Sequence, residues 1–349
     1  MRVFSSLMHR HHHPANFFAF GAFLDFTPDI PDRAEQILAT LTAEGHEIVA
    51  ATNRGREAIA EVHSPDYLDY LRTAWGAYNE ARDEMGMTDL GTSREVYPLI
   101  FPVRGMDHGY PSSIVGRAGF HSSDMWMPLG AESWKAIEAS ANLAVDAADA
   151  VVGGDRAAYA LCRPSGHHAS FERGGGNCYL NNAAIAAEFL RTHVARVALV
   201  DIDVHHGNGT QDLFYDRDDV LFVSLHCDPN ECYPYFAGYT HERGTRRGTG
   251  FNVNLPLPLM SGDEPYLEAV DAAVPRIGAF TPDVLVVSLG VDGHRDDPSR
   301  ALALGTACFS RVGERLAELG VPTVLIQEGG YNLDTIGECV SAVLAGFEA

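Results

Sequence analysis

The sequence predicts an α/β protein, a three-layer α/β/α sandwich around a central, mainly parallel sheet, and three observations carry that prediction. Continuous apolar runs rich in Val, Leu and Ile recur at Val197–Val204, Val220–Leu225, Val284–Leu289 and Val321–Gln327. Runs without polar alternation belong to strands buried on both faces, which is the environment inside a parallel sheet. Amphipathic helical patterns separate these runs, as the crossovers between parallel strands require. Finally, clusters of Asp, His and Gly stand at the carboxyl ends of the runs, the edge at which open parallel sheets bind ligands.

Taken in order, the first element with a clear signature is a helix over Asp32–Glu44, opened by an acidic residue and closed near Gly45. Residues 82–130 show Gly, Pro, Ser and aromatics without a sustained period, and the stretch 98–130 reads as a long functional loop capping an entrance. Ala131–Val152 then places Trp134, Ile137, Ala141, Ala144, Val145, Ala148 and Val151 at steps of three and four, the mark of a helix with one buried face. A short strand follows at Ala157–Cys162, and the four apolar runs complete the sheet. No repeat or linker divides residues 1–349, so a single domain is expected.

Composition narrows the partners. The 349 residues contain 25 Lys plus Arg against 47 Asp plus Glu, a formal charge of −22, which leaves little room for a basic face that could neutralise phosphates. Nucleic acid is excluded as a partner, and a cationic small molecule suits the field. The 46% hydrophobic fraction is that of a packed globular chain, and no apolar stretch suggests a membrane span. Met1–Pro14 carries His9, Arg10, His11, His12 and His13 where a signal peptide needs an apolar core. Cys162, Cys178, Cys227, Cys232, Cys308 and Cys339 lack CxxC pairing and read as reduced and mostly buried, so a cytoplasmic location is expected.

Four strand ends deliver the chemistry. They lead into Arg163-Pro-Ser-Gly-His-His168, Asp201-Ile-Asp-Val-His-His-Gly-Asn-Gly209, Gly290-Val-Asp292 and Gln327-Glu-Gly-Gly-Tyr331. Asp203 and His205, two apart in extended chain, emerge on the same side of the pleat, and Asp292 closes the set from another strand. Two carboxylates and an imidazole suit catalytic zinc or ferrous iron with room for a water. Asp-x-Asp-x-His alone fits equally a helix cap followed by solvated polar residues; the tandem His167-His168 and Tyr331 at equivalent strand ends tip the balance. Beside a metal, the tandem pair makes sense as a proton shuttle, with Asp201 fixing a tautomer, and Tyr331 can offer its hydroxyl to a developing oxyanion.

Arg163-Pro-Ser-Gly-His-His-Ala169, Cys178-Tyr-Leu-Asn-Asn182, Asp201-Ile-Asp-Val-His-His-Gly-Asn-Gly-Thr-Gln211, Ser224-Leu-His226, Ser288-Leu-Gly-Val-Asp292 and Glu328-Gly-Gly-Tyr331 together resemble the histone deacetylase superfamily. Gly209–Arg217, His226–Tyr239 and Thr73-Ala-Trp75 are similar to its bacterial acetylpolyamine amidohydrolases. The resemblance implies an arginase/deacetylase-like fold and a zinc-dependent amide hydrolase that removes acetyl groups from small acetylated amines. It assigns Asp203, His205 and Asp292 to zinc, and His167 and His168 to acid–base work, leaning on Asp201 and Asn208. Tyr331 is assigned to the acetyl carbonyl. In that chemistry zinc polarises the amide oxygen and lowers the pKa of its water toward about 7. Structural potassium ions are implied at Asp201, Asp203, His205, Ser224 and Leu225, and at Phe214, Arg217, Val220 and Phe251. A homodimer or higher homo-oligomer is implied as well.

Against the family pattern, Tyr233 supplies one expected aromatic of the substrate slot, but Asn177 stands where a second is expected, which predicts a wider, more polar tunnel. Asp124, with Asp107 second, is the candidate for attracting a distal ammonium at the mouth. Phe120, Met125, Trp126 and Met127, joined by Phe17, Phe18 and Phe20, form either an apolar rim or an interface core. The His-rich Met8–His13 stretch could line the entrance, bind stray metal or be disordered. Three alternatives stay open. The same chemistry could act on other small secondary amides or on acetyl-lysine, and a non-catalytic acetyl-amine binding protein could keep the fold. A two-manganese ureohydrolase needs a carboxylate where Gly290 stands.

Overall fold

The computed structural model describes residues 1–19, 21–88, 94–103, 105 and 109–349. The sheet strands are β1 (Arg2–Ser5), β4 (Glu47–Ala50), β5 (Ala157–Ala160), β6 (Val197–Asp201), β7 (Val220–Cys227), β8 (Asn252–Leu257), β9 (Val284–Leu289) and β10 (Thr323–Gln327), while β2 (Phe17–Ala19) and β3 (Ala22–Leu24) form a separate antiparallel hairpin. The eight lie in the order β4-β1-β5-β10-β9-β6-β7-β8, and every neighbouring pair is parallel. Successive residues of each strand feed opposite cores. Ala198, Val200, Leu285 and Val287 join one cluster, whereas Val197, Leu199, Val284 and Val286 join the other. This alternation between two apolar environments explains why the runs carry no polar period.

Helices cover both faces. One layer holds α1 (Asp32–Ala43), α8 (Asp263–Phe280), α9 (Thr306–Ala317) and α10 (Ile336–Glu348). The other holds α2 (Glu57–Val62), α3 (Pro65–Glu84), α5 (Ser133–Val152) and α6 (Asn182–Arg191). The expected three-layer sandwich is therefore present. In α5 the predicted stripe is buried at Ile137, Ala141, Ala144, Val145, Ala148 and Val151. Helix α1 ends as expected at Gly45, whose φ of +85° suits a residue without a side chain. The expected strands at 157–162 and 321–327 are trimmed to Ala157–Ala160 and Thr323–Gln327.

Three expectations need revision. The 98–130 stretch is not all loop: it contains α4 (Ile114–Phe120) and is pinned by bridges Val96↔Leu129 and Ser122↔Gly174. The His-rich run forms a 3-10 turn, Leu7–His11, and then buries His12 against Ser133 and Tyr179, so it does not line an entrance. The cysteines are not all reduced, because Cys227 and Cys232 form a disulfide; the four free ones are buried as expected. After β7 the chain turns on Asp228, whose carbonyl accepts the Glu231 and Cys232 amides at 2.9 and 3.0 Å. That turn sets the two Cα atoms 6.0 Å apart, within disulfide reach. The pairing removes the compositional ground for the cytoplasmic expectation. Among the described residues, no helix is long and apolar enough to cross a membrane.

Candidate active site

The register of the sheet assembles the site. Asp201 ends β6 opposite Ser224 of β7 and Ser288 of β9, so the chain leaving β6 and the chain leaving β9 emerge side by side. Short backbone bonds then fold the Asp-x-Asp-x-His segment. The Asp203 amide donates to Asp201 Oδ1 at 3.0 Å, and the His205 amide donates to Asp203 Oδ1 at 2.9 Å. The Val204 amide donates to Asp292 Oδ1 at 3.0 Å, and the Gly329 amide donates to Asp203 Oδ2 at 2.7 Å. Three predicted strand ends are thereby tied to one another.

One ligand atom from each of Asp203, His205 and Asp292 lies within 4.8 Å of the others. His205 Nδ1 sits 3.1 Å from both Asp203 Oδ1 and Asp292 Oδ2. Asp292 Oδ2 is buried and receives no hydrogen bond of acceptable geometry. A buried carboxylate oxygen left unsatisfied costs free energy unless a cation compensates it. The donor set and this orphaned oxygen fit a zinc or similar divalent ion with three protein ligands. Asp292 is lifted to about 6, by burial and then by the Asp203 charge. Burial opposes charge on Asp203, but His167 and His205 hold its carboxyl well below the usual range.

Close packing also discriminates against a second bridging carboxylate. A Cβ at Gly290 would stand 2.1 Å from Asp203 Oδ2 and 2.6 Å from its Cα. A Cβ at Gly329 would stand 2.2 Å from Asp292 Oδ2. Position 290 therefore has no room for the extra Asp that a two-metal ureohydrolase site requires.

The tandem imidazoles face each other with ring centres 3.9 Å apart. His167 Nδ1 donates to Asp201 Oδ2 at 2.9 Å, and His168 Nδ1 donates to Asn208 Oδ1 at 2.7 Å, as expected. Each acceptor fixes the proton on Nδ1 and leaves Nε2 for the site. Their backings differ in charge, and so do their titrations. Burial opposes protonation of His167, but Asp201 and Asp203 outweigh it and lift the ring to about 10. Burial, then the neighbouring His167 and His205, hold His168 well below its ordinary value. The segment is braced by Asn181, the cap of α6, whose Nδ2 donates to Ala169 O and to Thr210 Oγ1, both at 3.0 Å.

Sequence reasoning missed the support beneath Tyr331. The Arg33 guanidinium lies over the Tyr331 ring at 4.6 Å and donates to Gly330 O, and to Glu328 O at 2.7 Å. Arg33 and Arg163 share buried Asp29, at 2.5 and 2.9 Å. Burial opposes charge on Asp29, but the two guanidiniums hold its carboxyl down at about 2. Glu328, raised to about 7 by burial, accepts the Gly166 amide at 2.7 Å and so anchors the tandem His turn. Only the buried-charge rule could have flagged these residues, because their partners lie far apart in the chain.

His168, His205 and Tyr331 border a cavity of about 400 Å³, walled by Phe17, Phe26, Trp126, Asn177, Tyr233 and Tyr235. A larger polar cleft, lined by Met1, Arg2, His46, Arg156 and Glu348, lies at the opposite, amino edge of the sheet and gathers none of the predicted site residues. Asn177 does line the cavity, with a left-handed φ of 63° that Asn tolerates. The rest of the wall is largely aromatic. Trp126 stacks 5.2 Å from Phe17 and packs 5.2 Å from Tyr233, replacing the missing aromatic from another part of the chain.

Asp124 is not a free carboxylate at the mouth. Its Oδ2 accepts from Tyr233 Oη at 2.6 Å, and its Oδ1 accepts from the Trp126 amide at 2.7 Å, while Gly176 N–H reaches both oxygens. These bonds make it a brace of the wall, and it is not among the residues that line the cavity. Asp107 and Phe20 lie outside the described residues. The residues expected to hold potassium fall into two groups. Asp201 and Ser224 pair across β6 and β7 with Asp203, His205 and Leu225 beside them, and Phe214, Arg217, Val220 and Phe251 collect at the amino ends of β7 and β8.

A sequence profile of the histone deacetylase domain matches residues 27–347. The chain belongs to the histone deacetylase family. Within it, the chain is 44% identical over 324 residues to acetylpolyamine amidohydrolase 1 of Pseudomonas aeruginosa, covering 92% of this chain and 91% of that one. It is 42% identical over 341 residues to the acetylpolyamine amidohydrolase of Burkholderia pseudomallei, covering 97% and 96%. The crystal structure of the acetylpolyamine aminohydrolase from Burkholderia pseudomallei superposes with a TM-score of 0.94 at 40% identity, covering 100% of this chain and 99% of that one.

Proposed function

We propose that this protein is a zinc-dependent deacetylase of small acetylated amines that carry a cationic tail, acetylpolyamines among them. One observation carries the reading: the orphaned Asp292 oxygen and its partner ligands sit beside a polarised His pair and Tyr331 at the floor of an aromatic cavity. The family membership and the names of the similar proteins support it. Asp203, His205 and Asp292 would hold the metal, which supplies Lewis acidity toward the amide oxygen and the attacking water.

The remaining steps belong to the chain's own groups. His168 Nε2, unprotonated because Asn208 fixes the hydrogen on Nδ1, takes a proton from the water as it adds to the acetyl carbon. The same nitrogen returns the proton to the amine as the C–N bond breaks, so amide plus water gives acetate plus amine. His167, backed by Asp201, keeps a positive charge beside the developing oxyanion. The Tyr331 hydroxyl donates to that oxygen, and the Arg33 guanidinium over its ring fixes the tyrosine in place. The apolar walls exclude bulk water and strengthen these interactions.

A homo-oligomer fits the same reading. Met85, Leu99, Ile100 and Val103 are exposed, apolar side chains that a second subunit would cover. The function is tested by a substrate panel on the zinc-loaded protein: N-acetylputrescine, acetylspermidine, an acetyl-lysine peptide and neutral N-butylacetamide. Preferential release of acetate from the first two supports the proposal. Faster turnover of the neutral amide or of the peptide overturns the substrate assignment.

A further inference from the structure

With Asp124 committed to the wall, the cavity needs another group if it selects a cation. Among the described residues that line it, the one non-metal-site carboxylate is Glu231, and no Lys or Arg is present. Glu231 is exposed, whereas His168 at the floor is 5% exposed, so the carboxylate stands at the outer end. No described hydrogen-bond donor or cation engages its side chain. The aromatic rings form an unbroken series leading outward from the floor. Tyr233 packs edge-on to His168 at 4.8 Å, Trp126 follows at 5.2 Å, Phe17 at 5.2 Å and Phe26 at 6.3 Å. Aromatic faces beside a free carboxylate form an environment that attracts an ammonium group, whereas a neutral tail gains only the apolar contact.

Glu231 is also held in place. It sits inside the loop closed by the Cys227–Cys232 disulfide. The Asp228 carboxylate accepts the Asn230 amide at 2.9 Å and its side chain at 2.8 Å, and the Asp228 amide is tied to Leu257 O at 2.7 Å. A short cross-linked turn has few conformations to lose when a ligand arrives.

We infer that Glu231, presented by the disulfide-closed 227–232 loop, is the specificity-determining residue that receives the distal ammonium of the substrate while the acetamide reaches the floor. The inference rests on the deacetylase reading above and assigns the substrate's cationic end to a named carboxylate. The Cys227–Cys232 loop acts as a positioning element and takes no part in bond breaking.

The test compares N-acetylputrescine with N-butylacetamide, nearly the same length but without the charge, on wild type, Glu231→Gln, Glu231→Asp and the Cys227→Ser, Cys232→Ser double variant. Loss of a charged hydrogen-bond partner lowers kcat/KM for N-acetylputrescine in Glu231→Gln by about 10-fold through KM. N-butylacetamide is unchanged, Glu231→Asp recovers part of the loss, and the wild-type preference shrinks with added salt while that of Glu231→Gln does not. The double variant raises KM for the cationic substrate alone. An equal loss on both substrates, or no loss on either, overturns the assignment of Glu231. A wild-type enzyme that hydrolyses neither amide overturns the deacetylase reading itself, a distinguishable result.

Discussion

Acidification should unfold this protein earlier than its carboxylates alone would dictate, because several buried histidines, His12 and His63 among them, are built into the fold as neutral rings. His63 is fully buried, and its Nε2 accepts the Asn181 amide at 2.9 Å, a bond a protonated imidazole cannot make. His12 is 1% exposed and sits between Ser133 Oγ at 2.9 Å and Tyr179 Oη at 3.3 Å. Burial, the largest cause in each, lowers His12 to about 3 and His63 to about 4, from an ordinary 6.5. A depressed folded-state value means stability that is present above pH 6.5 and is lost as pH falls toward the folded values, since the unfolded chain takes up the proton first. Between pH 7.5 and 5 each ring costs about 2 kcal/mol, or about 4 for His12 and His63 together, the slope reaching 1.36 kcal/mol per pH unit below the ordinary value. That is a large part of the 5–15 kcal/mol typical of folded proteins, roughly speaking. Urea midpoints at pH 7.5, 6.5, 5.5 and 5.0, at constant ionic strength, measure it. His63→Gln keeps an acceptor for Asn181 without a titrating ring and should flatten the decline by about 2 kcal/mol. A midpoint that stays level from pH 7.5 to 5.0, or a decline that His63→Gln leaves unaltered, would refute the reasoning.

Three further outcomes are expected. Tyr331→Phe removes the hydroxyl but keeps the ring under Arg33, so kcat falls about 10²-fold with little change in KM or thermal midpoint. His168→Ala removes the group that moves the proton, and steady-state kinetics should show a loss of about 10²- to 10⁴-fold that Asn208→Ala reproduces only in part. Gly290→Ala forces a methyl into the Asp203 carboxylate and backbone, so zinc content by elemental analysis drops well below one ion per chain even where circular dichroism shows a folded protein. Full zinc occupancy in that variant would contradict the placement of the ligands.

The strand ends were legible because their chemistry is local: Asp201, Asp203, His205 and Asn208 fall within eight residues, and a parallel sheet puts every carboxyl end on one edge. The stripe of α5 was legible for the same reason, since periodicity is a property of one segment. What joins distant segments was not. The Arg33–Asp29–Arg163 cluster depends on loops meeting over the sheet, with no local pattern to announce it, and the same meeting decides that Trp126 and Phe17, both rim candidates, stack into one wall. Asn177 left open how the wall is completed, and Trp126, one of the rim candidates, supplies the ring beside Tyr233. The bracing of Asp124, the candidate for the distal ammonium, was not legible because its donors, Tyr233 and the amides of Trp126 and Gly176, are known only from the fold. The Cys227–Cys232 pair escaped because the chain is long enough to fold without a disulfide, so composition gave no reason to pair cysteines five positions apart.

The central claim is that Asp203, His205 and Asp292 hold the single metal on which deacetylation depends. Strip the protein with a chelator, add back zinc in steps, and follow bound metal and acetate release from N-acetylputrescine together. Turnover should vanish on stripping and return in proportion to zinc, levelling at one ion per chain, while Asp292→Asn neither binds the ion nor recovers. Undiminished turnover in the stripped protein, or recovery only at two ions per chain, would contradict the account.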